Sequence, residues 1–246
     1  MRTLGTLLIA AAALSGCMYA SDPTTGQGAF RLDRHDRLIG GDRGNPSAVI
    51  AAELAFARAA RETGQWTAFR EYATKDANMF GPHVRLTQEM LKGRADPAEA
   101  IVWEPDLVWT SCDGTYALST GPATYPGGER GRFATIWQRQ RNREYRWVLD
   151  QGFDLEPGYK KPDLIGGHVA DCAAKDASRP ARTQLASYAS GQADDGTFAW
   201  ETTLDPDCAR TFVVRARVDG EWREVFRRVA PAPEAPPGGA AASCAS

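Results

Sequence analysis

DGTYALSTGPATYPGGERGRFATIWQRQRNREYRWVLD, residues 113–150, is the stretch that decides the fold. A turn at 113–114 opens the stretch, and two further turns, at 126–128 and 141–143, divide it. The runs between the turns are rich in aromatic and β-branched residues, which favour strands. The stretch therefore predicts an antiparallel meander. The Trp-rich run 102–110 before it predicts one more extended segment, with Pro105 marking an edge or a bulge.

Helical spacing dominates the residues before this meander. Asn45 or Ser47 is the expected cap of a helix that has Pro46 near its start and Gly64 at its end. Shorter elements follow: a helix over 66–72, a strand over 78–82 and a helix over 87–91. Helices followed by antiparallel strands indicate an α+β fold and not alternating βαβ units.

These elements, in this order, resemble the nuclear transport factor 2-like superfamily, and within it the SnoaL-like and related bacterial domains of unknown function. The segments that carry the resemblance are 51–57, 113–122, 131–139 and 147–152. The resemblance covers residues 45–156. It implies helices followed by a twisted sheet that wraps around a cone-shaped cavity, which members use for catalysis, for ligand binding or for no known purpose. The cavity mouth is then the expected place of a site.

From residue 157 the resemblance fades and another pattern begins. Four short extended runs lie at 183–190, 197–203, 211–218 and 222–229. Asp-rich turns separate them, and Asp219-Gly220 is a strong hairpin signal. We expect a small antiparallel β unit over residues 157–230, either packed on the first domain or extending its sheet. The Pro/Ala/Gly-rich tail 231–246 is typical of disorder.

The N-terminus carries the pattern of an export signal, residues 1–17. Arg2 precedes an apolar run that is shorter than the ~20 residues of a membrane-spanning helix. Leu14-Ser15-Gly16-Cys17 resembles the lipobox of bacterial lipoproteins, which implies acyl chains such as palmitate on Cys17; the alternative is an ordinary signal peptide with a chance cysteine. Met18 implies sorting to the outer membrane, facing the periplasm. Residues 18–44 predict a flexible tether.

Composition excludes several classes of function. The formal net charge is −2 over 246 residues, and no basic stripe indicates nucleic-acid binding. The sequence has no phosphate-cradling glycine loop and no hydrolase motif, and its cysteines and histidines lack zinc-site spacing. We therefore expect neither a cofactor nor a metal.

Four cysteines remain beside Cys17. An exported compartment permits disulfides, and Cys172 and Cys208 both lie beside extended runs. We expect these two to pair. Cys112 is expected to be a buried, unpaired side chain, and Cys244 lies in the tail.

Aromatic side chains and two ionisable groups are the candidates for the cavity. Asp150 lies among apolar residues, where burial would raise its pKa and suit it to act as a general base; the alternative is a structural carboxylate paired to an arginine such as Arg146. His83 follows Gly81-Pro82 near the expected mouth, but a lone histidine is more often structural. The residues expected to line the cavity are Trp66, Tyr72, Phe80, Trp103, Trp109, Tyr116 and Trp137.

Three functions fit these features. The first is a noncatalytic envelope lipoprotein whose cone binds a small apolar ligand or serves as a scaffold. The second is a protein-interaction module, with an envelope protein or a second copy as partner, because the superfamily often dimerises through its sheet. The third is an isomerase, cyclase or hydratase resembling ketosteroid isomerases, with Asp150 as base. A lipid anchor and a tether fit a binder better than a diffusible enzyme, which favours the first.

Overall fold

The computed structural model describes residues 43–80, 84–172 and 187–232, all within one compact unit. The predicted signal with Cys17, nearly all of the tether, His83 and the tail with Cys244 lie outside these ranges. Within the described ranges, no helix is both long and apolar enough to cross a membrane.

Three helices pack on one face of a large sheet: α1 Pro46–Glu62, α2 Gln65–Tyr72 and α3 Thr87–Met90. Asn45, and not Ser47, caps α1, because its side chain accepts a hydrogen bond of 3.1 Å from the Ser47 N–H. Gly64 separates α1 from α2 at φ 114°, a conformation that favours glycine. The buried stripe of α1 contains four apolar residues, and Glu53 stands among them, fully buried.

The first sheet contains eight strands: β1 Ala73–Phe80, β2 Val84–Leu86, β3 Val102–Trp103, β4 Leu107–Thr110, β5 Tyr116–Thr124, β6 Arg130–Arg139, β7 Tyr145–Asp154 and β8 Gly166–Val169. Their order across the sheet is β2-β1-β7-β6-β5-β4-β8, and β3 also pairs with β5. The β1–β7 and β4–β8 pairs are parallel, and the other pairs are antiparallel. The predicted meander is present as β5, β6 and β7.

The meander strands are buried on both faces. On the helix side, Trp137 and Trp147 join the aromatic rings of the helices in a first core. On the other side, Ile136, Leu149 and Phe153 belong to a second core. Because side chains alternate along a strand, the nearly continuous burial of β6 requires a second layer on the side away from the helices.

That layer is an antiparallel sheet of four strands: β9 Ser187–Gln192, β10 Phe198–Leu204, β11 Arg210–Val218 and β12 Glu221–Ala230. Phe198, Phe212 and Val214 of this sheet complete the second core. Strands β9 to β12 of the C-terminal region therefore pack face to face on the first sheet, whereas β8, which comes from the same region, extends that sheet at its edge. The hairpin predicted at Asp219-Gly220 joins β11 to β12, with both residues at positive φ.

A buried ion network joins the two sheets beside this core. Arg132 of β6 donates two hydrogen bonds of 3.1 Å to the Asp106 carboxylate and, from Nε, one of 2.8 Å to Glu156. Arg228 of β12 forms an ion pair with the same Glu156. The Tyr159 hydroxyl donates to Asp106 at 2.8 Å. Arg132 is only 5% exposed, so these partners compensate for the loss of its hydration.

Two Asp-Gly turns of nearly identical sequence meet at one end of the sheets. DGTYA, starting at Asp113, leads into β5, and DGTFA, starting at Asp195, leads into β10. The Asp113 N–H donates to Asp195 Oδ2 at 2.7 Å, and the Asp195 N–H donates to Asp113 Oδ2 at 3.1 Å. The hydroxyls of Thr115 and Thr197 likewise accept from the backbone of the opposite turn. Each turn thus caps the other.

The disulfide joins different cysteines from those expected. Cys112 pairs with Cys172, with their Cα atoms 5.0 Å apart, so the predicted Cys172–Cys208 pair and the predicted unpaired Cys112 are both wrong. The reason is the parallel pairing of β4 with β8, which brings the residues that follow both strands to the same end of the sheet. Cys208 is also disulfide-bonded.

Candidate functional site

The helices, the first sheet and the end of β12 line a partly open cavity of about 420 Å³. Half of its apolar lining residues are aromatic. The apolar lining is formed by Trp66, Phe69, Trp103, Phe133 and Phe153, together with Met79, Ile101, Ala123, Ala230 and Pro231. Its polar side is formed by Tyr125, Glu129, Arg130, Asp150 and Asp154. A space of this size, with apolar walls and a few polar groups on one side, is typical of small-molecule sites.

Asp150 brings a carboxyl group to this cavity from the middle of β7. Burial, and then the negative charge of Glu53, raise the pKa of Asp150 well above its ordinary value, against the hydrogen bond donated by the Gln151 N–H. The alternative pairing with Arg146 is not found, because Arg146 contacts Glu144 at 3.8 Å and donates to a backbone carbonyl of α2. Asp150 therefore favours the neutral acid, which both donates and accepts hydrogen bonds.

Tyr125 lies next to Asp150, and its ring lies against two glycines of neighbouring strands. A Cβ on Gly131 would come within 2.9 Å of the ring, and one on Gly152 within 2.8 Å of the hydroxyl oxygen. Glycine at these positions therefore lets the ring reach the sheet. Burial, and then the charges of Asp150 and two further carboxylates, raise the pKa of Tyr125, so its hydroxyl keeps its proton.

A second carboxyl group is completely enclosed behind Trp103. Glu53 accepts hydrogen bonds from the indole N–H of Trp103 at 2.6 Å, from that of Trp137 at 2.9 Å, and from the Ser119 hydroxyl. Burial raises the pKa of Glu53, and these three donors oppose that effect in part. The cluster attaches α1 to the sheet and fixes the Trp103 ring that forms part of the cavity wall.

Three of the residues predicted for the site lie at the cavity: Trp66, Trp103 and Asp150. Tyr72 and Trp137 pack in the first core instead, and Trp137 is wholly buried against Glu53. The side chain of Phe80 and the whole of His83 lie outside the described part of the chain.

Trp109 and Tyr116 do not line the cavity, so that expectation is wrong for both. Trp109 stacks on His168 of β8, and Tyr116 packs near Trp200 of the second sheet. Ala117, which follows Tyr116, belongs to the helix-side core, and alternation along β5 therefore turns Tyr116 to the other face.

Two important residues of the site, Glu53 and Tyr125, were not predicted. Glu53 had a readable signal: with Val49 and Phe56 it falls on one stripe of a helix, and an acidic residue on an apolar stripe must find buried donors. Tyr125 had no distinctive signal, since a tyrosine before a Pro-Gly-Gly turn is ordinary for a strand end.

The geometry defines a mixed α/β protein with a helix-covered sheet, an aromatic cavity that holds a carboxyl group of raised pKa, and an added second sheet. In the described ranges, no group of three or more His, Cys, Asp or Glu side chains could hold a metal ion.

Comparisons with known proteins reach only part of this chain. No protein-family model matches it, and no curated protein matches it. It is similar to a provisionally assigned ketosteroid isomerase from Parabacteroides distasonis, at 15% identity over 47% of this chain and 97% of that one, with a TM-score of 0.36. It is also similar to a nuclear transport factor 2-like protein of unknown function from Pseudomonas putida, at 14% identity over 49% and 93%, with a TM-score of 0.34. Similarities this low do not assign a family or an activity.

Proposed function

We propose that this protein is a lipid-anchored component of the cell envelope whose cavity binds a small, largely apolar ligand bearing a hydrogen-bond acceptor. The observation that carries the proposal is Asp150, a carboxyl group that faces an aromatic cavity from a central strand. Among the described residues, no lysine or arginine forms an ion pair with it. A neutral carboxylic acid at that position supplies a donor to a ligand oxygen that apolar walls alone would leave unpaired.

Charge at the polar side of the cavity argues against an anionic ligand. Glu129 and Asp154 lie there with Arg130, which leaves an excess of negative charge even when Asp150 is neutral. An anionic ligand would be repelled by these carboxylates and would lose its hydration on entering.

A neutral fluorescent probe tests whether the cavity accepts apolar ligands. We expect N-phenyl-1-naphthylamine to bind the chain beginning at residue 18 saturably, because half of the apolar lining residues are aromatic. Ala123→Leu places three more carbons in the cavity and should weaken binding about tenfold or more, equivalent to about 1.4 kcal/mol. Ala199→Leu, the same change on the second sheet, should leave binding unchanged. Equal binding by all three proteins, measured by fluorescence titration, would refute the assignment of this cavity.

A proton-transferring enzyme is the second candidate, and the pairing of Asp150 with Tyr125 favours it. A raised pKa makes Asp150 a stronger base once it is ionised, so its carboxylate can take a proton from a carbon acid and return it, and a protonated phenol can stabilise the resulting oxyanion. The test is hydrogen–deuterium exchange at the α-carbon of cyclohexanone, followed by NMR. Exchange that Asp150→Asn abolishes would favour the enzyme, and exchange at the solvent rate would favour the binder.

The lipid anchor is proposed from the sequence alone, on Leu14-Ser15-Gly16-Cys17. In cells grown with an alkyne analogue of palmitate, we expect the protein to carry the label and to be recovered in the outer-membrane fraction. Cys17→Ser should remove the label, because the thiol is the acceptor of the lipid. A variant that is still labelled would show that the lipid is elsewhere.

A further inference from the structure

Trp66 lies at the opening of the cavity, in the first turn of α2. It lines a partly open cavity and is itself only partly buried. Its ring packs edge-on against that of Phe69, with 5.6 Å between the ring centroids. Phe69 is held in the first core by Phe56 and Trp147, and Trp66 is the more exposed of the two wall residues. Rotation of the Trp66 ring would therefore disturb the core less than a movement of Phe69.

Segment 91–101, which connects α3 to β3, passes along the start of α2. The guanidinium carbon of Arg94 lies 4.4 Å from the centroid of the Trp66 ring. Arg94 is exposed and is not among the residues that line the cavity, so it covers the ring from the solvent side. A cation in this position is attracted to the negative face of the indole. Arg94 therefore opposes a rotation that takes the ring out of this contact.

Asp96 of the same segment caps α2. Its carboxylate accepts hydrogen bonds from the N–H groups of Trp66 and Thr67, and from the Thr67 hydroxyl at 2.6 Å. Gly64, the residue before the helix, has no side chain that could do this. A Cβ on Gly64 would overlap the Asp96 carboxyl group, so glycine at that position lets the cap approach. The helix turn that carries Trp66 is thus fixed by a residue from another part of the chain.

The two ends of segment 91–101 are also attached to α2. Arg70 donates a hydrogen bond of 2.9 Å to the Leu91 carbonyl, and the Ile101 N–H donates one of 2.8 Å to the Gln65 side chain. Ile101 itself lines the cavity. The segment and the helix therefore form one continuous part of the cavity wall.

We propose that Trp66 is the gate of the cavity, and that Arg94 and Asp96 are positioning residues that hold it closed. Asp96 fixes the helix turn, and Arg94 fixes the ring on that turn. For a ligand to enter or leave, the ring rotates away from the opening and loses its contact with Arg94. That contact slows entry and exit by the same factor, because it is present in the closed cavity with and without ligand. This inference rests on the proposed function, since it takes the cavity as the place where the ligand binds.

Rates of probe binding to the chain beginning at residue 18 test the gate. In Arg94→Gln, the association and dissociation rate constants of N-phenyl-1-naphthylamine, measured by stopped-flow fluorescence, should both rise about threefold or more, with little change in Kd. Lys92→Gln removes the same charge from an exposed position of the segment and should leave both rate constants unchanged. Unchanged rate constants in Arg94→Gln overturn the proposal. A rise in the dissociation rate constant alone also overturns it, because Arg94 would then only support the bound state.

Amide exchange in Asp96→Ala tests the cap without a ligand. The amide hydrogens of Trp66 and Thr67 should exchange with solvent about tenfold faster or more, because the helix turn loses its acceptors. Glu99→Ala, a change at an exposed acidic residue of the same segment, should leave this exchange as it is. Equal protection in Asp96→Ala and the unchanged protein would show that Asp96 does not position the gate.

A ligand-free measurement on the ring separates the gate from the proposed function. With 5-fluorotryptophan in place of tryptophan, the ¹⁹F signal that disappears in Trp66→Phe belongs to Trp66. Arg94→Gln should enlarge the relaxation dispersion of this signal, because the ring leaves the closed position more often. If the unchanged protein binds no probe, the proposed function fails and the fluorine signal decides on its own. An enlarged dispersion then supports a ring that Arg94 holds in place, and an unaltered one overturns the proposal.

Discussion

Arg132→Ala should lower the free energy of unfolding by about 3–5 kcal/mol, because it leaves a buried carboxylate without its partner. Asp106 receives two hydrogen bonds from this guanidinium and lies almost wholly out of water. Glu156 would lose one of its two cationic partners as well. The lost contacts lie at the junction between the two sheets. We therefore expect both sheets to unfold in one transition, at a lower urea concentration than in the unchanged protein.

Two further variants make the result specific to the network. Arg141→Ala removes an arginine from an exposed turn and should change stability by no more than about 0.5 kcal/mol. Arg132→Met combined with Asp106→Leu removes both charges and should recover much of the loss. If the single change costs less than about 1 kcal/mol, the charges are hydrated and the network does not hold the sheets together.

Asp150→Asn should make the protein more stable, by a margin that grows as the pH rises. The pKa of Asp150 is higher in the folded chain than in the unfolded one. The native state then holds a proton that the unfolded state releases, so the contribution of Asp150 to stability is full below the ordinary carboxyl pKa and is lost as the pH rises through the folded value. Asparagine has no ionisable group, so the Asp150→Asn variant does not lose stability in this way as the pH rises. Each unit of the raised pKa is equivalent to about 1.4 kcal/mol.

Urea unfolding at about pH 5 and about pH 8 measures this difference, with Asp163→Asn as the exposed control that should show none. A gain that is equal at both pH values would mean that Asp150 is not held neutral. Asparagine still donates a hydrogen bond but cannot exchange a proton. The variant should therefore still bind a neutral probe, whereas any proton-transfer activity should disappear.

The sequence predicted the elements with strong local signals. The Asn45-Pro46 start of α1 and the turns of the 113–150 meander are where they were expected, because caps and Asp-Gly or Pro-Gly-Gly turns depend on neighbouring residues alone. Strand β8 could not be predicted, since its pairing with β4 comes from tertiary contact: a Cβ on Gly167 would lie 3.1 Å from Pro46. The cysteine pairing depends on that same strand, and spacing alone does not determine connectivity.

The site was predicted less completely, because it depends on which way each strand faces. Trp103 and Trp109 are close in sequence, yet only Trp103 faces the cavity. A shift of one residue reverses the face of every side chain, and the irregularity between Ile136 and Trp137 has no mark in the sequence. Asp150 was recognisable as a carboxyl group among apolar residues. The negative charge of Glu53, which raises the pKa of Asp150 further, was not recognisable, because α1 reaches the sheet only through tertiary packing.

The reciprocal hydrogen bonds of Asp113 and Asp195 also bear on whether a second chain can cover the first sheet. They lock together two surfaces that belong to one polypeptide, and strands β9 to β12 cover the face of the first sheet that a second copy would otherwise have to cover. A homodimer through that face, one of the expectations from the sequence, would have to displace this sheet. We therefore expect the melting temperature not to vary with protein concentration. The second layer that this face of the sheet needs is thus supplied by the same chain.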